Sequence, residues 1–171
     1  MNRTAVKTLI FTVVVPGTAA GLIPLLVWMD AGGIRETAHP LVQAAGWAVL
    51  GLGLVLYALC AWDFTVSGKG TPLPLDAPRF LVERRLYKHL RNPMYVGVLS
   101  IILGVAFLAD SALLFLYAAL LFCLFHCFTV FYEEPALARK FGESYLEYCR
   151  SVPRWVPAFI NGVAGKAPQE R

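Results

Sequence analysis

The chain has 171 residues, 58% of them apolar and only 15% charged, with a formal net charge of +4 at pH 7. This is the composition of a membrane protein. The placement of the basic residues along the chain accounts for the positive charge, so nucleic acid is not invoked as a partner.

The first long apolar run, Thr8 to Met29, carries no Asp, Glu, Lys or Arg. About 20 such residues suffice to cross a bilayer. Arg3 and Lys7 before the run and Gly17-Thr18-Ala19 within it resemble the parts of a signal peptide, but the run continues to Met29, which favours a span. Pro16 and Pro24 predict kinks, and Gly17-x-x-x-Gly21 permits close helix packing, within the chain or in a dimer. After a brief loop (Asp30 to Pro40) comes a second charge-free run, Leu41 to Trp62. Its Gly51-Leu52-Gly53 follows no strand, so it is read as a packing feature rather than a nucleotide loop.

The loop from Asp63 to Arg91 is longer than a connection requires. Gly68-Lys69-Gly70-Thr71-Pro72-Leu73-Pro74 is neither regular helix nor sheet, and Pro78-Arg79-Phe80-Leu81-Val82 is amphipathic. A loop of this kind is expected to form part of a site or to lie on the membrane surface. The third and fourth runs, Asn92 to Ala109 and Ser111 to Tyr132, form a hairpin in which Asp110 or Ser111 caps the fourth helix. The fourth run holds Cys123, His126 and Cys127. Two of these are one turn apart on one helix with no fourth ligand in view, so the thiols are read as packing groups and no metal site is expected.

In the tail, Pro135 suits the first turn of a new helix after Glu133-Glu134, giving a helix over 134–150. Leu137, Phe141, Tyr145 and Tyr148 recur on one face of it, as in a helix lying on the bilayer surface. Two adjacent carboxylates at a membrane mouth opposite a basic loop point instead to ligand or ion-pair groups. Pro153 and Pro157 end the helix around Arg154, Trp155 suits an interface anchor, and the chain from Asn161 reads as a disordered tail. Every Lys and Arg except Arg35 falls on one side of these four spans. By the positive-inside rule both termini are cytoplasmic, and attraction to anionic membrane lipids follows. The expected architecture is an all-α integral membrane protein. It has four transmembrane helices, a hairpin of helices three and four, and a cytoplasmic amphipathic tail helix, as one domain over residues 1–160.

Three pieces occur in order. They are Arg91-Asn92-Pro93-Met94-Tyr95-x-Gly97, then Glu133-Glu134-x-x-Leu137-x-x-x-Phe141-Gly142-x-x-Tyr145-x-x-Tyr148, then Val152-Pro153-Arg154-x-x-Pro157. The set resembles the isoprenylcysteine carboxyl methyltransferase superfamily, a broad group that takes in phospholipid methyltransferase-like proteins and many small bacterial members. The resemblance covers roughly Pro72 to Pro157. It implies a bacterial inner-membrane enzyme that binds S-adenosylmethionine at the cytoplasmic side and takes a lipophilic acceptor or lipid from the bilayer. The same resemblance implies that Arg91, Asn92, Pro93, Tyr95, Glu133 and Glu134 surround the cofactor, and Tyr87, Tyr145, Tyr148 and Arg154 are expected there with them. Those residue types suit it: carboxylates for hydroxyls or ammonium, guanidinium for the carboxylate, aromatics for the adenine ring.

Methyl transfer is an in-line displacement for which alignment is the protein's chief contribution. A carboxylate acceptor needs no base, whereas an amine or thiol must lose a proton. Glu134 and His126 are the expected catalytic residues, with His89 also within the candidate set. A neutral His126 bonded to a neighbouring helix is the alternative reading of that residue. Relatives usually carry Gly before Leu-Tyr, where this chain has Arg85; if that glycine permits close backbone approach, Arg85 alters the loop. Relatives also often have five or more spans. A non-catalytic membrane scaffold with a degenerate cofactor site is therefore the competing function. A small transporter would place an acid mid-membrane, and every Asp and Glu here lies at or outside a helix end. Sterol reductases share a similar C-terminal half, but nothing in the chain supports a nicotinamide cofactor.

Overall fold

Proline and glycine decide where the helices of this chain bend, touch and stop. A computed structural model describes residues 14, 16–30, 39–66 and 85–157, and all the regular structure among them is helical. The expectations placed on Arg3, Lys7, Arg35, the loop segments 68–74 and 78–82, and the tail from Asn161 lie outside the described residues.

A π-helical turn, Gly17–Leu22, runs into α1 (Ile23–Asp30). The N–H of Ile23 bonds to Thr18 O, five residues back, immediately before Pro24. Proline has no N–H and its ring clashes with the carbonyl four residues earlier. One widened turn relieves that clash without breaking the helix.

α2 (Pro40–Val66) and α3 (Pro93–Ala109) are antiparallel and form the closest helix pair. Gly46 and Gly53 of α2 and Gly97 and Gly104 of α3, each pair seven residues apart, lie along the contact. A Cβ at Gly104 would sit 2.6 Å from the Leu50 backbone N, and one at Gly53 2.6 Å from that of Ile101. Small residues thus let two backbones approach as they do inside membranes. Gly53 fulfils the packing role expected of it, whereas a Cβ at Gly51 or Gly21 would meet open space.

α3 carries more buried apolar side chains than any other described helix, Val98, Ile102 and Ala106 among them. It ends at Asp110, which takes the left-handed conformation, and Ser111 accepts from Leu114 N as the cap of α4 (Ala112–Phe128). The outward faces of α2 and α4 are apolar, with Trp47, Leu52, Val55, Leu116, Leu120 and Leu124 exposed. Two helices, Pro40–Asp63 and Ala112–Phe141, are long and apolar enough to cross a membrane; Gly17–Asp30 and Pro93–Ala109 are shorter apolar helices.

The start of the tail differs from the sequence expectation. The helix does not restart at Pro135: α4 widens through a π turn, Thr129–Glu133, and continues as α5 (Glu134–Phe141). Glu134 N–H bonds to Thr129 O just before Pro135, repeating the device seen before Pro24. The break falls at Gly142, whose φ of 60° and ψ of −136° only glycine adopts readily, and α6 (Glu143–Ser151) begins there. Tyr145, Tyr148 and Val152 therefore pack with Leu137, Ala138 and Phe141 as a small core of their own, instead of lying along one 134–150 helix.

Candidate functional site

Two irregular segments meet at one end of the bundle. The chain before α3 makes a 3-10 turn (Arg85–Lys88), buries Leu90 and reaches Arg91. The chain after α6 lies against it: Arg91 N donates to Pro153 O at 2.9 Å and Asn92 Nδ2 to Arg154 O at 3.3 Å. Pro93, buried at the first turn of α3, lacks the N–H that would otherwise need a partner there.

The π turn brings two neighbouring carboxylates to this junction, and they meet different partners. Glu134 Oε1 accepts from Arg91 Nη1 (2.9 Å) and Arg154 Nε (2.6 Å), and Oε2 accepts from Arg154 Nη2 (3.0 Å). The Arg154 contact is a two-pronged fork. Both Glu134 oxygens are thus engaged by guanidinium donors. These bonds also raise the Arg154 pKa above the usual arginine value. Glu133 accepts from Tyr95 OH at 3.2 Å and pairs with no arginine or lysine among the described residues.

Arg91 also donates to Cys149 Sγ at 3.0 Å, and its Nε is buried with no partner among the described residues. It lines a cavity of about 480 Å3 together with Glu134, Tyr145, Cys149, Arg150 and Arg154. Tyr145, hydrogen-bonded to Cys149, has its hydroxyl pKa pushed up chiefly by burial. Tyr148 OH donates to Tyr87 O at 2.7 Å, pinning α6 to the 3-10 turn, and burial likewise holds the Tyr87 hydroxyl well above the ordinary tyrosine value.

Of the residues expected around a cofactor, Arg91, Glu134, Tyr145 and Arg154 share the cavity wall. Asn92, Pro93, Tyr87 and Tyr148 shape the backbone around it. Tyr95 and Glu133 lie beside it, toward an aromatic group in which Tyr95 stacks on Phe125 at 4.5 Å and Trp155 lies 6.5 Å away. His126 does not join Glu134: its Nδ1 accepts from Trp155 Nε1 at 3.1 Å. Trp155 is thus tucked onto α4 through this bond. His89 is exposed in the turn before Leu90.

Sequence reasoning passed over Asp63 and Cys149 and read Trp155 only as an interface anchor. Asp63 is 4% exposed in the last turn of α2, with one oxygen buried and unpartnered among the described residues and the other 3.5 Å from Arg85. It is the first charge after a long apolar run, which was its available signal. Arg85 adopts φ 47°, so the position preceding Leu86-Tyr87 needs a left-handed residue rather than room for close approach.

A family model described as phospholipid methyltransferase matches residues 41–144, a stretch that includes α2, α3, α4 and both glutamates. The chain belongs to the phospholipid methyltransferase family. It is 36% identical over 149 residues to the protein-S-isoprenylcysteine O-methyltransferase of Xenopus laevis, an alignment that takes in 83% of this chain and 51% of the relative. The chain therefore spans about half the length of that family relative. No solved structure matches it.

Proposed function

We infer that this family member is an S-adenosylmethionine-dependent methyltransferase whose four apolar helices span the membrane with both termini cytoplasmic, and whose acceptor is a lipophilic molecule arriving through the bilayer. The observation that carries the reading is the Arg91–Glu134–Arg154 cluster on the wall of a cavity that abuts an aromatic group on the apolar bundle. A methyltransferase for lipid needs this adjacency of a polar chamber and a hydrocarbon approach.

The residues fit the cofactor. Arg91 keeps a buried Nε beside the cavity with no partner among the described residues, and Arg91, Arg150 and Arg154 are donors suited to a carboxylate. Tyr145 offers a ring for an adenine. S-adenosylmethionine, when bound, supplies a methyl group made electrophilic by its sulfonium. The protein's own part is orientation and exclusion of water. Glu134 sets the directions of both arginines at once, and the Tyr145–Tyr148–Val152 core closes the tail over the chamber. Glu133, with Tyr95 as its partner, is the carboxylate with lone pairs to spare for an ammonium or for a proton leaving an amine or thiol acceptor. Glu134 then orients and does not act as a base.

The test is calorimetric titration of S-adenosylmethionine and S-adenosylhomocysteine into protein in detergent and in lipid nanodiscs, with Arg91→Ala alongside. Micromolar binding that the variant loses supports the reading and justifies assaying methyl transfer to lipid acceptors. Folded wild-type protein that binds neither ligand in either medium overturns it and leaves the scaffold.

A further inference from the structure

Three consecutive tail residues hold three different parts of the molecule. Pro153 O accepts from the Arg91 backbone, Arg154 forks onto Glu134, and Trp155 donates to His126 on α4. The polar chamber and the apolar helix face are thus joined by one short strap. An indole N–H only donates, so His126 Nδ1 must offer its lone pair. A neutral imidazole then carries its proton on Nε2, and an imidazolium, a donor at both nitrogens, cannot accept this bond.

Among the described residues, nothing else hydrogen-bonds to the His126 ring. Its neighbours are rings: Phe122 at 6.2 Å and Trp155 at 6.1 Å between centroids, with Leu124 exposed on the same helix. A donor held among apolar groups at a membrane depth is costly unless it is given an acceptor. Lipid molecules approaching this face carry such acceptors on their head groups.

We propose that Trp155 is a positioning residue that fixes His126 as the Nε2–H tautomer, and that His126 serves as the hydrogen-bond donor for a head-group oxygen of the lipophilic acceptor. The assignment rests on the methyltransferase reading for the word acceptor, but its geometry stands apart from the cofactor chamber. It replaces the base role expected of His126: with its Nδ1 engaged and its Nε2 protonated, the ring has no lone pair to receive a proton.

The test uses full-length protein with 15N-labelled histidine in phosphatidylcholine nanodiscs, where the chain's three histidines give few signals to assign. Wild type is expected to show His126 as a single Nε2–H tautomer, and Trp155→Phe, which keeps a ring against Phe122 and Tyr95, a mixture of tautomers. Oleate, a lipophilic carboxylate, should move the His126 Nε2 signal, with about tenfold weaker apparent affinity in Trp155→Phe, as loss of one hydrogen bond implies. Oleylamine, which has no acceptor when protonated, should leave the signal in place. An Nδ1–H or rapidly averaged tautomer in wild type overturns the proposal. So does an oleate response that is absent or equal in the two proteins, and so does a signal already fully shifted by phosphatidylcholine alone, which would make the partner bulk lipid. S-adenosylhomocysteine binding measured on the same samples reports the chamber separately: its absence counts against the methyltransferase reading, while the histidine signals decide this one.

Discussion

Glu134 bridges two guanidinium groups, and the energy of that bridge can be worked out from its geometry. Arg91 Nη1 and Arg154 Nε lie 2.9 and 2.6 Å from the same oxygen, so these two charge-bearing nitrogens are no more than roughly 5.5 Å apart, the sum of those bond lengths. At that separation two like charges repel by about 3 kcal/mol at an effective dielectric constant near 20. The Arg91 side chain is 11% exposed and Arg154 38%, so solvent screens part of this, and about 1–2 kcal/mol remains. Glu134→Gln keeps the size of the side chain, removes the negative charge and turns one acceptor into a donor facing Arg154. The expected loss of unfolding free energy is about 2–3 kcal/mol, because the repulsion adds to a broken charge-assisted bond. Arg91→Met alone should cost a similar amount. The double variant should cost less than the sum by about 2 kcal/mol, since removing Arg91 removes the repulsion that Glu134→Gln exposes. The assay is reversible unfolding in mixed detergent micelles, with all four proteins compared as a cycle. Losses that add to within about 0.5 kcal/mol would show that the two groups act independently and refute the bridge.

Three further outcomes follow from the same geometry. Gly104→Ala should destabilise the α2–α3 pair by about 1–3 kcal/mol, because its methyl meets the Leu50 backbone, whereas Gly51→Ala, facing open space, should be neutral or stabilising; thermal unfolding of the pair of variants checks this. Gly142→Ala should cost about 1–3 kcal/mol, because its backbone conformation suits only glycine, and should speed proteolytic cleavage within the tail while α2–α4 stay protected. At Arg85, Gly should leave stability within about 1 kcal/mol of wild type, since relief of the left-handed conformation offsets the lost Asp63 contact and the added chain entropy, but Val should lower it by about 2 kcal/mol; unequal effects in the reverse order would sink the reading of that turn.

The charged and proline residues at the ends of apolar runs were legible because a membrane helix tolerates few of them. Arg91, Pro93, Glu134 and Arg154 stand out against hydrocarbon, and the structure gathers them. The limits of α3 and the start of α4 were legible for the same reason, and Ser111 caps where a polar break must. Contacts that depend on the direction of the tail were not legible. Leu137, Phe141, Tyr145 and Tyr148 keep helical spacing whether the helix is one or two, and periodicity carries no sign of a turn at Gly142. Once that turn is made, Cys149 meets Arg91 and Trp155 meets His126, two contacts between residues far apart in the chain that no local pattern announces.

Pro135 was misread for an instructive reason. Proline at the start of a helix and proline inside one share the same fixed φ and the same missing N–H, so the residue alone cannot tell the two cases apart. What separates them is whether the preceding turn can widen, and here it does so twice, before Pro24 and before Pro135. At the second site the widening has a chemical consequence. It inserts one residue into the turn that carries Glu133 and Glu134, so that one carboxylate meets Tyr95 on α3 while its neighbour meets the arginines of the two irregular segments. Without the inserted residue, the side chains after the turn would be displaced by about 100° around the helix relative to α4. The proline that looked like a helix start is therefore what allows both glutamates to face the site, and a Pro135→Ala protein that relaxes to a regular helix should lose either the Tyr95 bond or the Arg154 fork.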